Sequence, residues 1–440
     1  MPYQFSPPHD PADRRSRDDR LIAQGTLLIS ANFLGALCNA AYHILLGRLL
    51  PPGEYAALVA MLGIILVAST PMLALQTTIA HYVSLFRGSS DDRQIKPFIR
   101  RCVAFLAPLS LLVAVLGAVF CAPLSAYWDG VTPPLLAATA ITLGLSLLMY
   151  VLYGFFQGIQ AFGWLAWLPQ LWGSGRVLFA LLFVYTLRRT ALPAIAAQTL
   201  GVGLVLLFGM LGYGAHHFPP LGPHRRKHAT GTLPYLAASL LSLAAFALLM
   251  NIDANLSVYY FGTESSALLA KAATIARTAV FLPMPLALAL FPKVTSTGDL
   301  PPGAPRLLLR AIIYALLLIA LAGGVCYAIP ALPWTILYGP LSDLAPSDAS
   351  TAAALVRSMT LAMAPLALAY LLLHFQTAQR RFLGPLLLVP SAALYLFLVH
   401  RHLDLGPAAI PRALLLSALL SLAVLLLTLL PRLFSRPRPS

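Results

Sequence analysis

Long apolar stretches fill nearly the whole chain and are separated by short polar interruptions. A transmembrane helix needs about 20 apolar residues to cross a hydrocarbon core about 30 Å thick. These runs are continuous rather than alternating, which favours helices over strands. The pattern therefore predicts an all-α polytopic membrane protein with about twelve transmembrane helices, at 21–46, 56–86, 102–127, 135–157, 164–187, 194–215, 233–260, 267–291, 307–329, 352–376, 383–399 and 412–430.

A polar stretch near the middle of the chain, HHFPPLGPHRRKHATGTLP (216–234), has six predicted helices on either side. Short turns at 47–55 and 261–265 follow the first and seventh predicted helices, as two parallel repeats would give. We therefore expect two six-helix lobes around a central cavity. The expected order is a flexible cytoplasmic tail (1–20), an N-lobe (21–215), a basic cytoplasmic linker (216–232), a C-lobe (233–430) and a cytoplasmic tail (431–440).

Composition supports a membrane protein, since 59% of the residues are hydrophobic, 10% are charged and the mean hydropathy is +0.81. The net charge of +15 is the excess of 29 Lys and Arg residues over 14 Asp and Glu residues. Of the 29, twenty fall in one alternate set of inter-helix segments, five in the other set and four within the predicted helices. Cytoplasmic segments carry the excess of Lys and Arg, so both termini are expected in the cytoplasm. The basic charge is thus a topology signal that also favours contact with anionic membrane lipids, and no nucleic-acid partner is expected.

The first helix, the turn after it and the start of the second helix (28–66) resemble bacterial polysaccharide-repeat-unit (Wzx-type) flippases. These belong to the multidrug/oligosaccharidyl-lipid/polysaccharide exporter superfamily, and their first helix typically ends in an aRlLgpeeyG turn. The matching residues here are GRLLPPGEY (47–55). Residues 251–294 resemble the seventh and eighth helices of the same family. One departure is Pro52-Gly53, where acidic or polar residues are more usual.

The resemblance implies a transporter of the bacterial inner membrane whose cavity opens alternately to either face. The cargo would be an undecaprenyl-pyrophosphate-linked oligosaccharide, used for lipopolysaccharide or exopolysaccharide export. Glycosyltransferases and a polymerase of the same pathway would be partners. No Walker loop or nucleophile elbow is present, so we expect neither an enzyme nor a cofactor. The alternatives are an ion-coupled multidrug/cation antiporter of the same superfamily and a membrane-embedded glycosyltransferase or polymerase.

Charges inside the predicted helices are the candidate binding groups, because each costs about 2.5–3.5 kcal/mol near a helix centre. Four are basic and one is acidic, an excess that suits an anionic cargo. Three polar residues of the first helix, Asn32, Asn39 and His43, are spaced i, i+7 and i+11 and so lie on one helix face. In this interpretation that face lines the cavity. The predicted cavity residues are Arg277, Arg176, Lys271, Arg357, Asn32, Asn39 and His43. The alternatives are an internal ion pair, snorkelling to the interface and plain helix packing.

Asp253 is the one acidic residue within a predicted helix, and Asn251 and Asn255 flank it. These three residues are candidates for an ion-coupling site that binds a proton or a sodium ion. The other interpretation makes Asp253 the salt-bridge partner of Arg277, and the sequence leaves both open. Helix two carries a further polar stripe of Thr70, Thr77, His81 and Ser84.

Overall fold

The structure, a computed structural model, describes residues 11–88, 92–216, 232–277, 282–283, 304–379 and 381–433. Within these ranges the chain is helical and forms no strand. The first half contains α1 (Pro11–Leu49), α2 (Pro52–Gly88), α3 (Ile95–Val119), α4 (Cys121–Ser125), α5 (Pro133–Gly158), α6 (Phe162–Thr186) and α7 (Ala191–Ala215). The second half contains α8 (Thr232–Asn251), α9 (Asp253–Ala276), α10 (Ala304–Ala328), α11 (Ala331–Tyr338), α12 (Pro346–Ala378), α13 (Leu383–Leu386), α14 (Leu388–Arg401) and α15 (Ala409–Leu433).

In the described ranges nine helical segments are long and apolar enough to cross a membrane, and the bent pair α8–α9 makes up to ten. The apolar part of α1, Phe33–Leu49, is shorter. Several of these helices start at a proline, such as Pro52, Pro133 and Pro346, whose fixed φ suits the first helical turn. The prediction of an all-α polytopic membrane fold is confirmed, while the eighth predicted helix (267–291) lies only partly within the described residues.

The start of the chain differs from the prediction. Helix α1 begins at Pro11, so residues 11–20 are helical and not part of a flexible tail. Opposite charges spaced four apart in this stretch, such as Asp13 with Arg17, favour a helix. The predicted basic linker (216–232) falls almost wholly outside the described residues.

The seventh predicted helix is broken where the sequence suggested one continuous run. Helices α8 and α9 meet at Ile252 with a bend of 44°. Asp253 Oδ1 accepts the backbone N–H of Ala254 at 2.7 Å, and Asn251 Nδ2 donates to the carbonyl of Ala247 at 3.0 Å. Short polar side chains compete in this way with the helical hydrogen bonds, which accounts for the break.

Helix α9 itself contains the turn between the seventh and eighth predicted helices. Gly262 has φ +76°, a conformation that residues with a side chain rarely adopt, and the chain reverses there. A hydrogen bond of 2.7 Å from Ser257 to Ser266 joins the two legs. The break and the turn together place Asp253 and Arg277 side by side, although they are 24 positions apart.

Two lobes of helices are joined chiefly through α2. This helix packs against α5 in the N-terminal half and against both α8 and α9 in the C-terminal half. One apolar cluster therefore spans the halves, with buried members that include Tyr42, Leu46, Tyr55, Met61, Ala254, Val258, Ala267 and Ala270. Packing of this kind holds membrane helices together, since lipid tails are as apolar as the side chains.

The lobes meet at one end of the helix bundle, which we call the closed end. It is formed by the α1–α2 turn, residues 126–132 and residues 259–264. The N–H of Thr263 donates to the carbonyl of Asp129 at 3.2 Å, and the rings of Trp128 and Tyr259 are 5.8 Å apart. Glu54 Oε2 accepts the N–H of Ala191, so α7 starts at this end too.

Candidate functional site

Arg277 and Asp253 form a buried ion pair beside the α8–α9 break. The Arg277 guanidinium contacts Asp253 Oδ1 through Nη2, and its Nε donates to the carbonyl of Met250 at 3.2 Å. Asp253 is fully buried and Arg277 is 6% exposed. Removing either partner would leave a buried charge, so the pair holds the two ends of α9 together. The sequence left two roles open for Asp253, and the structure shows one of them, the salt bridge with Arg277.

The residues around the break also have unused hydrogen-bonding capacity. Asp253 Oδ2, Asn251 Oδ1 and Asn255 Nδ2 are buried and have no hydrogen-bond partner within the described part of the chain. Each unsatisfied buried group costs about 1–3 kcal/mol. Two of the three atoms are oxygen acceptors, the kind of atom that a proton or a hard cation uses. No cluster of three His, Cys, Asp or Glu side chains able to hold a metal occurs in the described ranges.

Arg176 is buried in the N-lobe and is held by neutral groups. Its Nη2 donates to Asn39 Oδ1 at 2.6 Å and its Nη1 to Gln198 Oε1 at 3.4 Å. The guanidinium carbon lies 4.8 Å from the ring centroid of Tyr42 and 4.3 Å from that of Trp172. No carboxylate among the described residues pairs with it. Arg176 thus links α1, α6 and α7 while it keeps its positive charge uncompensated.

His43 of α1 has basic side chains of both lobes in its surroundings. It is half-buried and within electrostatic reach of both Arg176 and Arg277. Its Nδ1 is 3.2 Å from the hydroxyl of Tyr55, which is 3.0 Å from the hydroxyl of Tyr338. A polar chain therefore runs from α1 through α2 to α11 and crosses from one lobe to the other.

Lys271 joins this region from α9. Its Nζ is 5.1 Å from the ring centroid of Tyr338 and 6.0 Å from that of Trp334, and its carbonyl accepts the Tyr338 hydroxyl at 3.4 Å. Aromatic faces attract a cation, which stabilises Lys271 without a carboxylate. We call Arg176, Lys271 and Arg277 the basic group.

Two predicted cavity residues do not join the basic group in the described structure. Arg357 is exposed, and its Nε donates to the carbonyl of Tyr327 at 3.1 Å, near the end of α10. A basic side chain at a helix C-terminus satisfies free carbonyls and the helix dipole. Asn32 lies in α1, but its side chain is outside the described part of the structure.

The polar stripe of α2 runs away from the closed end. Thr77, His81 and Ser84 are exposed, and Thr70 is half-buried. The hydroxyls of Thr77 and Ser84 donate to carbonyls of their own helix, at 3.0 and 2.8 Å, and so offer only acceptor lone pairs outward. In contrast, the exposed positions of α3 after Arg101 are apolar, with Phe105 76% exposed. This half of α2 therefore presents a polar surface that membrane lipid would disfavour.

Sequence reasoning did not find the neutral partners of the basic group. They are Tyr42, Trp172, Gln198, Trp334 and Tyr338. Tyrosine and tryptophan inside an apolar helix give little signal, because such residues are common in packed membrane helices. Gln198 could have been found from the sequence, since an amide within an apolar run needs a hydrogen-bond partner.

Comparisons with known proteins place the fold. No protein-family model and no curated protein sequence matches the chain. Among solved structures, an inward-facing multidrug resistance MATE family transporter of the MOP superfamily superimposes with a TM-score of 0.67 at 13% identity, over 90% of this chain and 93% of that one. The lipid II flippase MurJ in its inward closed conformation superimposes with a TM-score of 0.70 at 12% identity, over 92% of this chain and 87% of that one.

A third structure is a MOP superfamily transporter from Pyrococcus furiosus Vc1 (DSM3638), described as having a binding pocket of reverse polarity that suggests a different function. It gives a TM-score of 0.64 at 12% identity, over 94% of this chain and 96% of that one. At such identities the likeness concerns the fold. The chain thus has the two-lobed, all-helical fold seen in MATE and MurJ transporters.

Proposed function

We propose that this protein is a transporter of the bacterial inner membrane that flips an anionic, lipid-linked oligosaccharide or polysaccharide precursor of the undecaprenyl-pyrophosphate type. Transport proceeds by alternating access of a cavity between the two lobes, with both chain termini in the cytoplasm. The fold shared with a lipid II flippase and the resemblance of residues 28–66 to polysaccharide flippases support the proposal.

The observation that carries this proposal is the imbalance of charge within the helices. Asp253 neutralises Arg277, but the described residues offer no carboxylate to Arg176 or Lys271. Two charges at 8 Å interact by about 2 kcal/mol at an effective dielectric constant of about 20. The excess positive charge therefore attracts an anion even where no direct contact forms. A pyrophosphate supplies the missing negative charge, whereas an organic cation would be repelled.

The geometry of the arginines suits such a cargo. A guanidinium has five N–H donors, and Arg277 uses only Nε and one Nη2 donor in the contacts described above. The remaining donors are available for bidentate bonds to phosphate oxygens, a geometry that lysine does not provide. We propose that Arg277, Arg176 and Lys271 attract the pyrophosphate, with His43 and Asn39 between them.

An ion-coupled multidrug or cation antiporter is the second candidate. The fold likeness to MATE transporters favours it, as do the unused oxygen atoms around Asp253. In either function we propose Asp253, with Asn251 and Asn255, as the ion-coupling site. The two candidates differ in the charge of the cargo.

Replacing Arg176 with glutamine tests the charge argument directly. We expect binding of undecaprenyl pyrophosphate to weaken at least about tenfold, since hydrogen bonds to a charged group contribute about 1.5–3 kcal/mol. Arg176→Lys should retain part of the affinity. Affinity is measured with purified full-length protein in lipid nanodiscs.

Arg357→Gln is the matched control, because Arg357 is an exposed arginine bonded to a helix end, away from the basic group. It should bind the lipid like the native protein. Native affinity in Arg176→Gln would contradict the proposed function.

A further inference from the structure

The turn between α1 and α2 makes contacts that the binding of cargo does not explain. Residues 47–55 contain the motif on which the sequence resemblance rests, GRLLPPGEY. They pack against α11, a helix of eight residues between α10 and α12. Three residues of the turn, Gly47, Arg48 and Tyr55, contact the C-terminal turn of α11 or the tyrosine that ends it.

Arg48 caps the end of α11 from the other lobe. Its Nη2 donates to the carbonyls of Thr335 at 3.2 Å and Ile336 at 2.7 Å, and its Nε donates to the carbonyl of Leu337 at 3.2 Å. The last carbonyls of a helix lack partners within the helix and carry a partial negative charge. One guanidinium from α1 therefore satisfies the terminal carbonyls of a helix some 290 positions away.

Gly47 provides the space in which Tyr338 lies. A Cβ atom added to Gly47 would be 2.4 Å from Cε1 and 2.5 Å from Cδ1 of the Tyr338 ring, far inside van der Waals contact. The same ring packs edge-on against Tyr55, with centroids 5.6 Å apart, and the two hydroxyls are 3.0 Å apart. The space left by Gly47, the ring packing and the hydrogen bond to Tyr55 thus define one position for the Tyr338 ring.

We propose that residues 47–55 and the C-terminal turn of α11 form a latch that holds the two lobes together at the closed end. Release of Arg48 and Tyr338 from this turn is then the step that lets the closed end open. The latch gives a physical role to the motif residues Gly47, Arg48 and Tyr55, and it is independent of which cargo the protein carries. The latch adjoins the basic group, because the Tyr338 hydroxyl donates to the backbone carbonyl of Lys271 at 3.4 Å. The Tyr55 hydroxyl also lies 3.2 Å from Nδ1 of His43.

The test is a distance measurement across the closed end in full-length protein in lipid nanodiscs, without cargo. Spin labels are placed at Arg189 and Ser347, which are exposed and lie on opposite lobes, after replacement of the four native cysteines. We expect Gly47→Leu to shift the distribution to longer distances, because the leucine occupies the place of the Tyr338 ring. Arg48→Gln should shift it in the same direction by a smaller amount.

Matched controls separate release of the latch from general disturbance. Gly203→Leu makes the same change on α7 where an added Cβ meets no atom within 4 Å, and Arg188→Gln removes an exposed arginine of the closed end. Both should keep the native distribution. If Gly47→Leu does not fold, Arg48→Gln decides alone. Native distances in Arg48→Gln, or equal shifts in the controls, would overturn the latch.

Discussion

Asp253→Asn should lower the free energy of unfolding by about 3–5 kcal/mol, because it strands the Arg277 charge inside the protein. The substitution keeps the size of the side chain and the oxygen that accepts the Ala254 N–H. Chemical unfolding in lipid or detergent measures the loss. Asp343→Asn, at an exposed acid on the loop after α11, serves as the control and should unfold like the native protein.

Removing both charges should recover most of that stability. The double variant Asp253→Asn with Arg277→Gln leaves no unpaired buried charge, and replacing a buried ion pair by neutral groups is often nearly neutral in energy. Native stability in Asp253→Asn, or a further loss in the double variant, would show that the ion pair does not hold the ends of α9.

Arg277→Lys should transport lipid-linked oligosaccharide at a reduced rate while its stability stays close to native. The lysine keeps the charge opposite Asp253, so the ion pair survives, but a point charge cannot make the bidentate bonds of a guanidinium. Transport is measured in proteoliposomes by the appearance of the labelled lipid in the opposite leaflet.

The double variant extends this measurement to ion coupling. It is expected to be stable but to transport almost nothing, since it removes both the proposed pyrophosphate contact of Arg277 and the proposed ion site at Asp253. If it transports at the native rate and still responds to an ion gradient, Asp253 has only a structural role and Arg277 does not bind the cargo.

The sequence predicted the helical class and the two-lobed fold well, since a bilayer requires long apolar runs and those runs are visible directly. It also indicated which charges lie inside the helices, because a charge within an apolar run stands out, although one of these residues, Arg357, is exposed. Arg277, Arg176, Lys271 and Asp253 all lie buried or half-buried in the described structure.

Features that depend on packing between distant segments were not predictable in the same way. Asn39 and Arg176 are 137 positions apart, and nothing in the local pattern of either segment pairs them. Arg48 illustrates the same limit, because its partners are carbonyls and any residue of α11 would present them. The break at Ile252 did leave a signal, since Asn and Asp cluster around it, but an apolar run of that length is otherwise continuous.

The most direct test of the central claim compares two cargoes in proteoliposomes that contain the native protein. One is an undecaprenyl-pyrophosphate-linked oligosaccharide and the other is an organic cation such as ethidium. An excess of positive charge in the helices predicts translocation of the pyrophosphate-linked lipid and none of the cation. Gradient-driven movement of ethidium without movement of the lipid would contradict the account and identify a cation antiporter.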